Sequence, residues 1–259
     1  SIYTLLALAC IVLQSCLFSE EEIFDESSAN RATADVIKCQ EILKDVPNGW
    51  KLEYYIGSNY SAGAITLLMK FDGKQVEMAS ETGAESYKPG TIITSLYQVK
   101  SEQSTMLTFD SYNQLIHMFS GPLGLNMNVG GDYEFIIKEA SAEKIVMQGK
   151  KYGNTIVMYA LPDDLNWEAY INSVNKVEED AFFNKYQLLV DGHLAGVMQQ
   201  SYYTFVIAYN DEKGNIAQKQ EPFLFTTDGI RFREPVLLAG VTVQNFKWDS
   251  TIESFTCVD

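Results

Sequence analysis

The sequence predicts a β-rich α+β protein whose antiparallel sheets form a curled or barrel-like meander, in two lobes that are each preceded by a helix. Short segments rich in aromatic and β-branched residues recur along most of the chain, separated by turn residues, which is typical of antiparallel sheets. Two longer stretches instead repeat apolar residues every three or four positions, as amphipathic helices do. We place the first lobe at residues 27–161 and the second at 162–259.

The first predicted helix begins at Ser27 or Ser28, because a serine hydroxyl is a good N-cap acceptor. Pro47-Asn48-Gly49 ends it, and Trp50 follows this turn directly. The apolar face has the spacing of a one-sided helix and comprises Val36, Cys39, Leu43 and Val46.

The strands predicted for the first lobe are separated by turns and Gly-rich breaks. Asp72-Gly73 is a strong hairpin signal, because both residues tolerate the positive φ angles of a two-residue turn. The predicted strands are 50–56, 65–71, 76–79, 92–99, 106–109, 115–119, 133–137, 145–148 and 155–161.

The second lobe repeats the order of a helix followed by strands. Pro162-Asp163-Asp164 opens the helix, since acidic residues are favourable at the N-terminal end of the helix dipole. Asp259 follows the last strand without a polar tail, which leaves a C-terminal truncation open. The predicted strands are 186–190, 202–209, 223–226, 230–232, 236–238, 241–248 and 255–258.

Residues 1–15 are interpreted as a signal peptide that is truncated at its start, since no initiator methionine or basic region precedes it. The apolar run that ends at Leu13 is shorter than the roughly 20 residues that a membrane-spanning helix needs. Leu13-Gln14-Ser15-Cys16 is similar to the lipobox of bacterial lipoproteins, in which the cysteine is acylated. We therefore expect Cys16 to be lipidated and to begin the mature chain; the alternative is a secreted protein without lipid.

Residues 16–26 are predicted to be a lipidated acidic tether. Three glutamates, Glu20-Glu21-Glu22, follow Cys16 closely and are similar to the export signal of Bacteroidetes lipoproteins on the outer face of the outer membrane. A solvated acidic linker is the simpler interpretation of these residues, and it is compatible with an export signal. The expected location is the outer membrane, with a lipid anchor, facing the cell exterior. Several acyl chains at about 0.8 kcal/mol per buried methylene would make this attachment stable.

Composition excludes several classes of function. The formal net charge of -15 argues against nucleic acid as a partner, because phosphate binding needs a basic surface. The only histidines are His117, on a predicted strand, and His193, in a predicted turn, so multi-histidine metal sites are excluded. Cys39 and Cys257 fit no zinc spacing, and two separate thiols are favoured over a disulfide. We expect no cofactor and no metal.

Several motifs are distributed over residues 24–154. They are Phe24-Asp25-Glu26-Ser27 with Arg31, Pro47-Asn48-Gly49-Trp50-Lys51-Leu52-Glu53-Tyr54-Tyr55, Leu107-Thr108-Phe109-Asp110-Ser111-Tyr112-Asn113 with His117, Gly130-Gly131-Asp132-Tyr133-Glu134-Phe135, and Gly149-Lys150-Lys151-Tyr152-Gly153-Asn154. Together they resemble a family of Bacteroidetes surface lipoproteins, the domain of unknown function 4302. The resemblance implies no catalytic residues, since the family has no assigned activity. It does imply a setting beside a TonB-dependent transporter and its surface nutrient-binding lipoprotein.

Four residues of the first lobe are candidates for ligand binding. Asp132 and Glu134 are two apart on a predicted strand, so both carboxylates would project to one face, as a glycosidase pair could. A solvated sheet face or hydrogen bonds to loop amides explains them more simply. His117 is predicted to share a strand face with Leu115 and Phe119, and a structural role is favoured. Trp50 is expected to fill the space between helix and sheet rather than to form a ligand platform.

The combined interpretation is a lipid-anchored surface protein with a non-catalytic binding or accessory role in the capture of glycan or peptide nutrients. No residue is assigned a catalytic role. One alternative is a glycan hydrolase that uses Asp132 and Glu134, and the other is a structural, adhesin-like surface module.

Overall fold

The structure is a computed structural model that describes residues 28–121, 129–211 and 213–259. The predicted signal peptide, the predicted tether and the lipidation candidate Cys16 lie outside these residues. Among the helices of the described ranges, none has the length and apolar character needed to span a membrane.

The described residues form three α-helices and two antiparallel sheets, which confirms the predicted β-rich α+β class. The helices are α1 (Ser28–Lys44), α2 (Gln114–His117) and α3 (Trp167–Asp180). The strands of the first sheet are β1 (Trp50–Ile56), β2 (Gly63–Phe71), β3 (Gln75–Ser80), β4 (Ile93–Leu96), β5 (Gln98–Ser101), β6 (Thr105–Thr108), β7 (Glu134–Ala140), β8 (Lys144–Gly149) and β9 (Thr155–Ala160). The strands of the second sheet are β10 (Lys185–Val190), β11 (His193–Ser201), β12 (Thr204–Asn210), β13 (Ile216–Phe225), β14 (Gly229–Leu238), β15 (Val241–Asp249) and β16 (Ser254–Cys257).

The first sheet curls into a nearly closed barrel. Its strand order is β4-β3-β2-β1-β9-β8-β7-β6-β5, so β4 and β5 are its two ends. These two strands follow each other in the chain with only the buried Tyr97 between them. They form one bent strand, which pairs with β3 on one side and with β6 on the other. The nine strands therefore occupy eight positions around a common core.

The core of the first sheet is filled by large side chains. Helix α1 covers one end of it with Cys39 and Leu43, and the fully buried Trp50 lies between this helix and the strands. Tyr54 packs edge-on against Phe135, with ring centroids 6.3 Å apart. Close packing of this kind is the normal state of a protein interior.

The second sheet is an open half-barrel. Its strand order β10-β11-β12-β13-β14-β15-β16 is the order of the chain, and each strand is antiparallel to the next. Strands β10 and β16 are its two ends, and no part of the described chain joins or pairs with both of them. The second sheet therefore has seven strand positions.

Helix α3 packs between the two sheets. Its N-cap is Asn166, whose side-chain oxygen accepts the N–H of Ala169 at 2.8 Å. Val174 and Val177 are buried against the second sheet, whereas Ile171 packs with Leu68 and Ala79 on the outer surface of the first. One helix thus covers apolar surface of both sheets.

Several predicted elements differ from the structure. Residues 115–119 do not form a strand, because Asn113 accepts the N–H of Leu115 at 3.1 Å and caps the short helix α2. His193 begins β11, a strand missed in the sequence although Asp191-Gly192 is a hairpin signal with φ angles of 49° and 76°. The predicted strands 230–232 and 236–238 are one strand, β14, with an irregular register between them.

Candidate functional site

A cavity of about 790 Å³ lies inside the half-barrel, between its end strands β10 and β16. Ligand pockets in proteins typically have volumes of roughly 300 to 1,000 Å³. The wall consists of apolar and aromatic side chains that lie on the inner face of the sheet, because successive residues of a strand point to opposite faces. They are Tyr186, Leu188, Met198, Phe205, Ile230, Leu238, Val243, Phe246 and Phe255.

The rim of the cavity carries polar side chains among exposed apolar ones. It is formed by the two end strands and the turns next to them, and its polar members are Lys185, Gln187, Asp191, Glu253, Ser254 and Thr256. An apolar wall with some polar groups at its rim suits a ligand that buries apolar groups and keeps its polar groups near the opening.

Aromatic side chains meet across the opening. Tyr186 of β10 and Phe255 of β16 have ring centroids 5.7 Å apart. Trp248 packs on Phe255 with ring centroids 4.8 Å apart, and within the described ranges its indole N–H is buried without a hydrogen-bond partner. A buried donor left unpaired costs about 1 to 3 kcal/mol, so this cluster is the least satisfied part of the second core.

Asp132 serves a local turn rather than an open site. It precedes β7 instead of lying on it, so it does not share a strand face with Glu134 as predicted. Its carboxylate accepts the N–H groups of Lys151 at 2.8 Å and Tyr152 at 3.1 Å. The side chain is buried there, and burial raises its pKa above the usual value. Hydrogen bonds to loop amides, the simpler of the two sequence interpretations, are what the structure shows.

Glu134 belongs to a charged cluster on the surface of the first sheet. Its carboxylate lies 3.1 Å from Lys150 Nζ and 3.7 Å from Lys100 Nζ, and both lysines also contact Glu102. Partly exposed ion pairs of this kind contribute little to stability, about 0 to 1 kcal/mol each. The two carboxylates that the sequence brought together thus have separate partners.

His117 lies in a packed aromatic environment. Its ring stacks on the ring of Tyr133, with centroids 4.7 Å apart. The ring of Tyr112 also contacts the imidazole, with centroids 5.4 Å apart. Nδ1 is 3.0 Å from the carbonyl oxygen of Asn113, and Nε2 is 3.1 Å from that of Phe109. Burial lowers the pKa of the imidazole. Both ring nitrogens are used within the fold, which fits a structural histidine.

Trp50 fills the space between helix α1 and the first sheet. It is fully buried, and its indole N–H donates to the carbonyl of Leu43 at 2.9 Å. This hydrogen bond satisfies one carbonyl near the C-terminal end of the helix. Trp50 is therefore inaccessible to a ligand.

The contact between the two sheets contains polar residues that the sequence analysis missed. Glu53 of β1 forms an ion pair with Arg231 of β14, and Lys51 Nζ lies 3.2 Å from the other oxygen of the same carboxylate. Glu53 is buried, and the attraction of these two cations offsets the cost of removing its carboxylate from water. Alternation along β1 alone places Glu53 on the outer face but gives no sign of its partner in the second sheet.

Glu81 is a buried carboxyl group at the same contact. Its two oxygens accept the N–H of Thr66 at 2.7 Å and the hydroxyl of Ser80 at 3.1 Å. Burial raises its pKa to about 8, and the charge of Glu178 on α3 acts in the same direction. Glu178 accepts a hydrogen bond from Tyr203 at 3.0 Å, and burial raises its pKa as well.

Cysteine and metal chemistry can be described only for residues 28–121, 129–211 and 213–259. Both cysteines in these ranges are free, Cys39 in the core of the first sheet and Cys257 at the cavity of the second. Within the same ranges, no three side chains of His, Cys, Asp or Glu are grouped as a metal site.

Comparison with known proteins identifies a family. The model of the family described as Domain of unknown function (DUF4302) matches residues 20–250. No curated protein and no solved structure matches the chain. The matched range includes both sheets and all three helices, except for the last strand. The chain therefore belongs to the DUF4302 family.

Proposed function

We propose that the chain is a non-catalytic binding protein of the bacterial cell surface, which captures a peptide or glycan in the half-barrel cavity. Its anchor is the lipidated Cys16, supported by the lipobox-like residues that precede it and the glutamates that follow. The outer face of the outer membrane of a Bacteroidetes cell is the location that these signals favour. A TonB-dependent transporter and a surface nutrient-binding lipoprotein are the partners suggested by the resemblance of the chain's motifs to Bacteroidetes surface lipoproteins.

The cavity is the observation that carries this proposal. Protein interiors are normally packed without large voids, and an unfilled apolar volume forfeits the contacts that would fill it. A cavity of about 790 Å³ inside a sheet is therefore a costly feature for a purely structural module. Its mostly apolar wall favours peptide side chains over a glycan, because sugar hydroxyls require many hydrogen-bonding partners.

The partners of Asp132 and Glu134 favour ligand capture over glycan hydrolysis. Asp132 holds two backbone N–H groups and Glu134 is paired with lysines, so both carboxylates have structural partners without a substrate. Glycan hydrolysis would require two carboxyl groups that face one bond. The amide variants Asp132→Asn and Glu134→Gln are therefore expected to bind ligand as the wild type does.

Titration with the neutral apolar dye Nile red tests the proposal. We expect the dye to bind the wild-type protein and Met198→Trp to weaken binding at least tenfold, because the indole fills the cavity that Met198 lines. Val197→Trp is the matched control, since Val197 neighbours Met198 on β11 but is 52% exposed. Equal dye affinity in the two variants, or no binding to the wild type, would refute the cavity as a binding site.

A further inference from the structure

We propose that the occupant of the half-barrel cavity is an extended segment of another protein, which inserts as an eighth strand between β10 and β16 and runs antiparallel to both. This inference rests on the proposed function, since it names the ligand class and the binding mode of the same cavity.

The number of strands in the two sheets gives the first argument. The first sheet, a nearly closed barrel, has eight positions because β4 and β5 share one bent strand. The second sheet has seven positions. In an antiparallel sheet of seven strands the first and the last run in the same direction, so β10 and β16 cannot close the sheet as an antiparallel pair. One added strand can be antiparallel to both, and it raises the count to the eight that the first sheet uses.

The backbone edges that face the opening give the second argument. Gln200 donates to the carbonyl of Asn184, which fixes the alternation of hydrogen bonds between β10 and β11. By this alternation the N–H and C=O of Lys185 and Gln187 point away from β11, toward the opening. The sheet edge at β10 therefore offers backbone groups for pairing with an added strand.

The opposite edge is arranged in the same way. Val258 donates to the carbonyl of Asn245, which fixes the alternation between β15 and β16. The N–H and C=O of Phe255 and Cys257 consequently point away from β15. Both edges of the opening thus present backbone donors and acceptors, as an inserted strand requires and a small apolar ligand does not.

The cavity supplies the place for the side chains of that strand. Tyr186 and Leu188 of β10, and Phe255 and Cys257 of β16, line it from either side and are only half-buried. In a strand, every second side chain points to the same face. A segment with alternating apolar residues would place those residues in the cavity and its polar residues in water.

Charge identifies the occupant as a different protein. Two acidic side chains, Asp191 and Glu253, and one basic side chain, Lys185, lie on the rim, so the rim is acidic overall, and the whole chain carries a formal net charge of -15. A second copy of the chain would bring like charge to this opening, which is unfavourable. A segment with basic flanks complements the rim and the net charge.

Synthetic peptides test the binding mode. The probe is a peptide of nine alternating valines and threonines with two lysines at each end, and its twin carries N-methyl groups on every second amide. N-methylation removes backbone donors but keeps the apolar side chains. We expect the probe to bind and to displace Nile red, and the twin to bind at least tenfold more weakly. A glutamate-flanked version is expected to bind more weakly than the probe, most clearly at low salt.

A backbone change in β10 supplies the matched test on the protein. Gln187→Pro removes an N–H that faces the opening, at an exposed position on an edge strand where proline is tolerated. Peptide affinity is expected to fall at least tenfold in this variant, whereas Gln187→Thr, which keeps the N–H, should stay within about twofold. Retained Nile red binding shows that the cavity of Gln187→Pro is intact.

The outcomes separate this inference from the proposed function. Equal affinity for the peptide and its N-methylated twin, or binding of the dye but of neither peptide, overturns strand insertion and leaves the cavity as a binding site. Concentration-dependent dimers of the pure protein that exclude the peptide would overturn the choice of partner. Failure of the dye to bind overturns both proposals.

Discussion

The two sheets of this protein are built from the same kind of antiparallel hairpins, yet one encloses a filled core and the other an open cavity. In the first sheet the chain returns to its starting edge, because β4 continues through Tyr97 into β5. In the second sheet it does not return, and β10 and β16 remain as separate ends. Inward-facing residues reflect this difference, since Leu52 and Leu67 are fully buried whereas Met198 is only half-buried. A single shared strand thus distinguishes a closed core from a candidate binding site.

Truncation of one aromatic side chain in each sheet tests most directly whether the first core is more tightly packed than the second. Trp50→Ala is expected to reduce the free energy of unfolding by about 3 to 5 kcal/mol, because it removes a fully buried ring from a filled core. Phe255→Ala is expected to cost about 1 to 2 kcal/mol, because Phe255 faces a cavity and is only half-buried. Urea denaturation followed by circular dichroism measures both values.

The control for this prediction is Trp50→Phe. It keeps an aromatic ring in the core but removes the donor to the Leu43 carbonyl, so it should fall between the wild type and Trp50→Ala. If Phe255→Ala destabilises the protein as much as Trp50→Ala, the second core is as tightly packed as the first and the comparison is wrong.

The contact between the sheets is expected to respond to pH through Glu81. Its folded pKa of about 8 lies above the usual value of 4.5, so the folded state holds a proton that the unfolded state has lost. Stability from this group is therefore fully present below pH 4.5 and is lost as the pH rises toward 8. We expect the free energy of unfolding to fall by about 1 to 3 kcal/mol between pH 5 and pH 8.

Glu81→Gln should largely remove this pH dependence, because an amide is neutral at every pH and can still accept the N–H of Thr66. Glu85→Gln, at an exposed position four residues on, is the matched control and should keep the wild-type profile. Glu178 is expected to add a smaller effect of the same sign, because burial raises its pKa too. A pH profile of Glu81→Gln that follows the wild type would contradict the assignment. Chemical denaturation at pH 5, 6, 7 and 8 provides the measurement.

Sequence reasoning predicted most local elements and a curled or barrel-like meander, but not that one sheet curls round to a shared strand while the other stays open. Aromatic and β-branched residues bounded by turns mark β1 and β2, and Pro47-Asn48-Gly49 marks the end of α1, because these signals are local. Strand β11 was missed because its Ala, Gly and Gln residues have low β propensity, although Asp191-Gly192 marked the hairpin. The predicted strand 92–99 contains Tyr97, but its pairing with β3 on one side and β6 on the other has no local signal. Nor does the opening beside β10, because whether an end strand finds a partner is decided by distant parts of the chain.

The candidate site shows the same limit. Polar residues such as Asp132, Glu134 and His117 drew attention because their chemistry can be read from single positions. The cavity wall instead consists of ordinary apolar strand residues, which look the same in the sequence whether they are covered or open. Nothing in the sequence distinguishes Glu53 and Glu81 from other glutamates, because their burial is produced by tertiary contacts. Their roles follow from the contact between two sheets, which spacing along one strand does not report.

The most direct test of the account is amide hydrogen exchange by NMR, with and without the lysine-flanked peptide. Binding in the half-barrel predicts that the amides of Gln187 and Phe255, which face the opening, gain protection on binding, whereas amides of the filled first sheet such as that of Leu52 do not change. Slower exchange at both end strands would show the open sheet closing around its ligand. Protection confined to the surface around Asp132 and Glu134, with no change at β10 and β16, would contradict the half-barrel as the binding site.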